Sequence, residues 1–330
     1  MGCSSAAFVT NSLKEPVKEN KLNKKTVHAG LIDRIFWDID GTLAVRVFKE
    51  EKEMSKFKSN NDCDFEWFKA KNLLIEFSFP FGESTIHAYC VVFPGAPEFF
   101  LYIKNVLETN FSFFSHGLEV GNVPFVEKFL AIALDEKQVP YKHNYIFSRQ
   151  HCDEVSTCFG TTSILKNLLI GLQPNESLKK TLLIDDNKVS HAGQESNLLY
   201  VPGVELADFQ SMKDESLFRI NHIFYLVGIL DEALTLGREN FLVQLKKLQK
   251  KALANEKMRW KYCLVGLTLL KEINPNLELF HVDFAVLKTR LAKEEGIMNN
   301  LTKASFFAVP LVSTIALGAI VAYTANSYKI

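Results

Sequence analysis

The 330-residue chain lacks the usual means of holding a fold together covalently or through zinc. Its six cysteines stand at positions 3, 63, 90, 152, 158 and 263 with no Cys-x-x-Cys pair. Neither a zinc knuckle nor a disulfide framework follows from that spacing, and free thiols fit a reducing cytosol. The chain has no net charge, 38 basic against 38 acidic residues, so nothing argues for general nucleic-acid binding. There is no internal repeat, and no heptad run is long enough for a coiled coil. The amino end lacks the long apolar segment of a secretory signal. Residues 1–27 carry Lys14, Lys18, Lys21, Lys24 and Lys25 among few apolar residues and read as a disordered polar segment. Gly2 and Cys3 hint at acylation, but Ala6 stands where the motif asks for Ser or Thr.

What the chain does have is Arg34-Ile-Phe-Trp-Asp38-Ile-Asp40-Gly41-Thr42-Leu43. An apolar strand ends in two aspartates two residues apart, and a Gly-Thr turn follows. Side chains two apart on a strand share a face, so Asp38 and Asp40 converge at the strand's carboxyl end, where open α/β sheets bind ligands. Two carboxylates that close repel unless a cation intervenes. A hard divalent ion such as Mg²⁺ resolves this, leaving one Asp to attack and the other to shuttle protons. Lys180-Thr-Leu-Leu-Ile-Asp185-Asp186-Asn187 is a second apolar strand with an acid tip, and Phe111-Ser-Phe-Phe-Ser115-His116 is a third strand ending in a hydroxyl.

Asp38-x-Asp40-Gly41-Thr42-Leu43 resembles motif I of the haloacid dehalogenase superfamily of phosphatases. That resemblance implies Asp38 as nucleophile and Asp40 as general acid/base. It implies Mg²⁺ held by Asp38, by the Asp40 backbone carbonyl and by Asp185, with Asp186 and Asn187 in support. Ser115 would hold a phosphoryl oxygen, and Thr42 and His116 would line the substrate site. The charge-balancing lysine has three candidates, Lys166, Lys179 and Lys180. Phe93-Pro94-Gly95, Phe147-Ser-Arg149-Gln-His-Cys152, Lys166-Asn167-Leu168 and Asp185-Asp186 follow the order of the small carboxyl-terminal-domain (CTD) phosphatases, the NLI-interacting factor group, and that order selects Lys166. The chain departs from the group at Gly41, where Glu is usual, and at Phe93, where Arg usually precedes the Pro.

The expected fold is α/β: a Rossmann-like core over 28–245 with a β-hairpin insert at about 73–93. A helical extension over 246–303 and a transmembrane tail at 304–325 follow. Residues 44–70 read as a charged connection. Apolar residues at three- and four-residue spacing predict helices over 218–236 and 239–261. The run 304–325 has no charged residue, and as a helix at ~1.5 Å per residue it spans about 33 Å, enough for a bilayer core. Lys288, Arg290, Lys293 and Lys303 precede it and place that side in the cytosol. The expected activity is Mg²⁺-dependent hydrolysis of a phosphomonoester, with a Ser/Thr-phosphorylated protein as substrate. The alternatives are a small-molecule phosphatase of the same superfamily and a catalytically silent, membrane-tethered binding protein.

Overall fold

A computed structural model describes residues 28–134, 145–156, 162–205, 222–237 and 240–277. The expected polar segment 1–27, the last part of the extension and the run 304–325 lie outside them. Among the described residues no helix is long and apolar enough to cross a membrane.

The core is a five-stranded sheet in the order β10 (Leu198–Tyr200), β9 (Thr181–Asp185), β1 (Arg34–Trp37), β5 (Asn110–Phe114) and β6 (Ile146–Phe147). Every pairing is parallel. Parallel strands are covered on both faces, so they read as continuous apolar runs rather than alternating ones, and β1 and β9 are buried along their whole length. Alternate residues serve opposite faces. Trp37 packs edge-on against Phe99 and Phe111, at 4.9 and 5.8 Å between rings. Phe36 points the other way, onto Phe114 and Phe147 at 5.9 and 5.8 Å.

A second sheet, antiparallel, has the order β2 (Ala44–Glu50), β4 (Ser84–Val92), β3 (Leu74–Phe81). The β3–β4 pair is the expected hairpin, but it is one part of a larger insert. The predicted charged connection 44–70 is in fact β2 followed by the 20-residue helix α1 (Glu51–Ala70). Met54, Phe57, Phe65, Trp67 and Phe68 of α1 turn inward onto the insert's core, with Phe57 and Phe65 against Tyr89 at 5.5 and 5.7 Å. The remainder is charged or polar, and that thin apolar stripe is why the sequence reads as a linker.

Helices α2 (Ala96–Asn105) and α3 (Glu119–Leu134) flank β5. β7 (Asp153–Ser156) and β8 (Thr162–Leu165) form a two-stranded ribbon. The carboxyl-terminal helices are α4 (His222–Leu236), α5 (Phe241–Ala254) and α6 (Glu256–Ile273). The pattern read as one helix to Lys261 is broken at Asn255, which is extended at φ −142°. Leu245, Leu248, Tyr262, Leu267 and Leu270 share one hydrophobic cluster with Trp37 and Phe99, so the extension is continuous with the α/β core through residue 277. α4 and α6 cross backbone to backbone. A Cβ at Gly228 would lie 2.0 Å from the Tyr262 carbonyl oxygen, and one at Gly266 would lie 1.8 Å from that of Phe224.

Candidate active site at the strand tips

Register brings the predicted residues together. Trp37 pairs with Ile184 and with Phe113, so the next residues, Asp38 and Asp185, leave adjacent strands side by side, and Ser115 emerges just beyond β5. The Asp38 backbone N–H donates to the Ile184 carbonyl at 2.9 Å. The site therefore lies at the carboxyl ends of the central strands, where open α/β sheets bind ligands.

Lys166 joins the two tips. Its ammonium donates to Asp38 Oδ1 and Asp185 Oδ2, each at 2.6 Å, and all three side chains are at least nine-tenths buried. Lys166 is held by its own backbone: its N–H donates to Ser190 O at 2.5 Å and its carbonyl accepts from Ala192 N at 3.0 Å. The Ser190 hydroxyl donates to Asp185 Oδ2 at 2.8 Å. The Asn187 N–H donates to Asp185 Oδ1 at 2.7 Å, and the Asn187 side chain, exposed, caps the turn through Val189 N. The other candidate lysines lie elsewhere. Lys179 and Lys180 are exposed before the start of β9, with Lys180 3.9 Å from Asp33.

Asp38, Asp185 and Asp186 each offer an oxygen, and the three oxygens lie within 4.8 Å of one another. Among the described residues one ammonium, that of Lys166, faces them. Burial, and behind it Asp185 and Asp40, push the Asp38 carboxyl up to about 8 against the pull of Lys166. Burial and Asp185 likewise raise Asp186 to about 6. Burial opposes the charge on Lys166, but the two carboxylates outweigh it and hold its pKa above the ordinary value. A cluster of hard oxygen donors with more negative charge than its lysine neutralises suits Mg²⁺. The Asp186 carboxylate, read from the sequence as support, stands with Asp38 and Asp185; the Asp40 carboxylate turns to Arg46, and the Asp40 group assigned to the metal from the resemblance is its backbone carbonyl. Asp186 sits against Gly41 and Gly203, where added Cβ atoms would meet its Oδ2 at 2.6 and 2.3 Å. Gly41 also has φ +71°, so the departure from Glu at this position makes room for the Asp186 carboxylate.

Asp40 is engaged by Arg46 of β2. Arg46 Nε donates to Asp40 Oδ1 at 2.6 Å, and its Nη2 donates to Oδ2. The arginine side chain is 1% exposed and that of Asp40 48%. Nη2 also reaches Asn122 Oδ1 at 3.0 Å, and the guanidinium lies over the Phe48 and Phe125 rings. The Ser115 hydroxyl donates to Asp40 Oδ2 at 3.4 Å and accepts from Gly117 N at 3.0 Å. Thr42 Oγ1 is 3.5 Å from Asp186 Oδ1. The His116 imidazole is pushed down to about 4 by burial and by Lys166, and its Nε2 has no partner among the described residues.

Sequence reasoning missed Arg46, Asn122, Ser190 and His222. Ser190 carried a signal, a hydroxyl closing the turn after Asp185-Asp186-Asn187. His222 carried none: it donates from Nε2 to the Thr42 carbonyl at 2.6 Å across 180 residues of sequence.

No curated protein matches the chain. Among the solved structures that match the chain are two phosphatases. One is a fission yeast RNA polymerase II CTD phosphatase Fcp1 variant bound to beryllium fluoride, at 16% identity and a TM-score of 0.37, over 85% of this chain and 68% of that one. The other is Fcp1, described as an essential RNA polymerase II CTD phosphatase, at 14% and 0.36, over 80% and 71%. The family model for NLI interacting factor-like phosphatases matches residues 35–231, more than half of the chain, and the protein belongs to that family of haloacid dehalogenase-type phosphatases.

Proposed function

We propose that the protein hydrolyses phosphoserine or phosphothreonine in a protein substrate through an aspartyl-phosphate on Asp38, in a Mg²⁺-dependent reaction. The observation that carries this is the Asp38–Lys166–Asp185 constellation at the strand tips. Lys166 occupies Asp38 Oδ1 and leaves Oδ2 to attack phosphorus. As the Oδ2–P bond forms, the bond to the leaving oxygen breaks, and that oxygen takes its proton from Asp40. A water then attacks the phosphorus, gives its proton to Asp40, and releases phosphate and the Asp38 carboxylate. Ser115 and the Lys166 ammonium face the charge that develops on the phosphoryl oxygens, where most catalysis of phosphoryl transfer resides. Asp38, Asp185 and Asp186 would hold Mg²⁺, which when bound supplies positive charge to the nucleophile and phosphoryl group.

A macromolecular substrate is supported by the family and by the open setting of the acid/base, with nearly half of the Asp40 side chain exposed. The uncharged run 304–325 supports a tail anchor that leaves the enzyme facing the cytosol. Release of the full chain from membranes by alkaline extraction would remove that part of the proposal.

The test is turnover of 4-nitrophenyl phosphate and of phosphopeptides by the full chain, with and without Mg²⁺, beside Asp38→Asn. Metal-dependent activity absent from the variant is the expected result. Activity in Asp38→Asn would remove Asp38 as nucleophile, and a preference for small metabolites over phosphopeptides would remove the protein substrate.

A further inference from the structure

Arg46 belongs to none of the motifs, yet it makes the best-defined contact to the acid/base. It comes from the insert sheet, where it pairs with Cys90 across β2 and β4, and its guanidinium reaches the mouth of the core. A guanidinium only donates hydrogen bonds, so both Asp40 oxygens facing it must accept. A carboxylate has about four acceptor sites. Arg46 takes one on each oxygen, and Ser115 lies at 3.4 Å from Oδ2. At least one site remains, on a side chain 48% exposed, within reach of water. Arg46 is itself fixed by Asn122 Oδ1 and by the Gly121 carbonyl, at 3.0 and 3.3 Å, both at the start of α3.

We infer that Arg46 is a positioning residue for the second half of the reaction, holding Asp40 as the acceptor that takes the proton from the water hydrolysing the aspartyl-phosphate. This rests on the aspartyl-phosphate reading above. In that step the water oxygen forms a bond to phosphorus, its proton passes to the free acceptor site of Asp40, and the P–O bond to Asp38 breaks with its electron pair left on the Asp38 carboxylate. A fork of two charge-assisted hydrogen bonds sets the carboxylate plane as well as its place. A lysine carries the same charge but offers no such fork.

The experiment uses 4-nitrophenyl phosphate with the full chain and saturating Mg²⁺. Nitrophenolate leaves without a proton, so the first step makes little demand on Asp40. In Arg46→Lys the kcat should fall by about 10²-fold, a typical general-base contribution. KM should fall in parallel, with kcat/KM nearly unchanged and a burst approaching one nitrophenolate per enzyme. Asn122→Ala, which loosens Arg46 without touching Asp40, should give the same pattern in milder form and carries the test should the lysine variant not fold. Equal losses in kcat and kcat/KM with no burst, or unchanged kinetics, overturn the inference. Asp38→Asn run alongside separates the two failures: activity there sinks the aspartyl-phosphate itself, whereas a dead Asp38→Asn beside burst-free Arg46→Lys and Asn122→Ala sinks only the role of Arg46.

Discussion

Acidification should unfasten the motif I loop from the helical end of the molecule through His222. This imidazole opens α4, is 4% exposed and lies edge-on to Phe93 at 4.8 Å. Its Nε2 donates to the Thr42 carbonyl at 2.6 Å, so in the neutral ring the proton sits on Nε2. Nδ1 has no partner among the described residues, and a second proton there would be buried without an acceptor. Burial pushes the pKa from 6.5 down to about 4, and the hydrogen bond to Thr42 only partly offsets this. The unfolded chain therefore binds the proton more readily than the native one. The stability His222 supplies is complete above pH 6.5, declines as the pH falls below it, and is gone below about 4. At ~1.4 kcal/mol per unit, going from pH 7.5 to 5 costs about 2 kcal/mol, and the full loss is about 3 kcal/mol. Urea unfolding followed by fluorescence across that range, on wild type and His222→Gln, isolates the effect, because Gln keeps an N–H donor and does not titrate. Taking the difference cancels the other groups, including Asp38, whose raised pKa favours the native state as the pH falls. Parallel stability curves for the two proteins would refute the assignment.

Three further outcomes follow from the site and the core. Asp38→Asn should be inactive yet melt no lower than wild type at pH 8 without metal, since it removes a carboxylate whose charge is disfavoured by its buried setting; a large drop in melting temperature would contradict that electrostatic account. Mg²⁺ should raise the melting temperature of wild type and Asp40→Asn but much less that of Asp186→Asn, because Asp186 and not the Asp40 carboxylate joins Asp38 and Asp185; calorimetric titration of the two variants decides it, and equal Mg²⁺ affinities would disprove the grouping. Gly228→Ala should lose about 3 kcal/mol or more in urea unfolding, as its Cβ would meet main chain 2.0 Å away at the α4–α6 crossing; a loss under about 1 kcal/mol would mean the helices separate easily.

The core of this fold was legible because its signals are local. β1 and β9 are buried on both faces and so are continuously apolar in sequence, and each ends in an acid that the parallel register carries to the same edge. Two acid-tipped strands in one chain are informative only because parallel pairing makes their ends neighbours, and Asp38 N to Ile184 O at 2.9 Å is that pairing at the site. The insert was half legible for the converse reason. β3 and β4 meet through a tight turn and show β-rich residues, whereas α1 buries a few side chains out of 20 residues, too thin a stripe to outweigh its charge. The break at Asn255 between α5 and α6 was missed because asparagine interrupts neither the apolar spacing nor, necessarily, a helix.

The unread part of the site is where the insert and the carboxyl-terminal helices touch the motif I loop. Arg46 is six residues from Asp40, close enough to notice, but strand alternation alone leaves open which face a charged residue takes. It is the face covered by α3, where Asn122, Gly121 and two phenyl rings enclose the guanidinium. Such burial is affordable only with a paired carboxylate. The dependence runs both ways: Asp40→Ala would remove the proposed acid/base and also strand a side chain 1% exposed with neutral acceptors alone. A fully buried pair broken in this way loses about 3–5 kcal/mol, and the half-exposed Asp40 lowers that toward 1–2 kcal/mol. Arg46→Met combined with Asp40→Ala should then recover stability that Asp40→Ala alone loses, while remaining inactive. A double mutant no more stable than the single would show that Arg46 draws its stability from the rings and Asn122 rather than from the acid it holds.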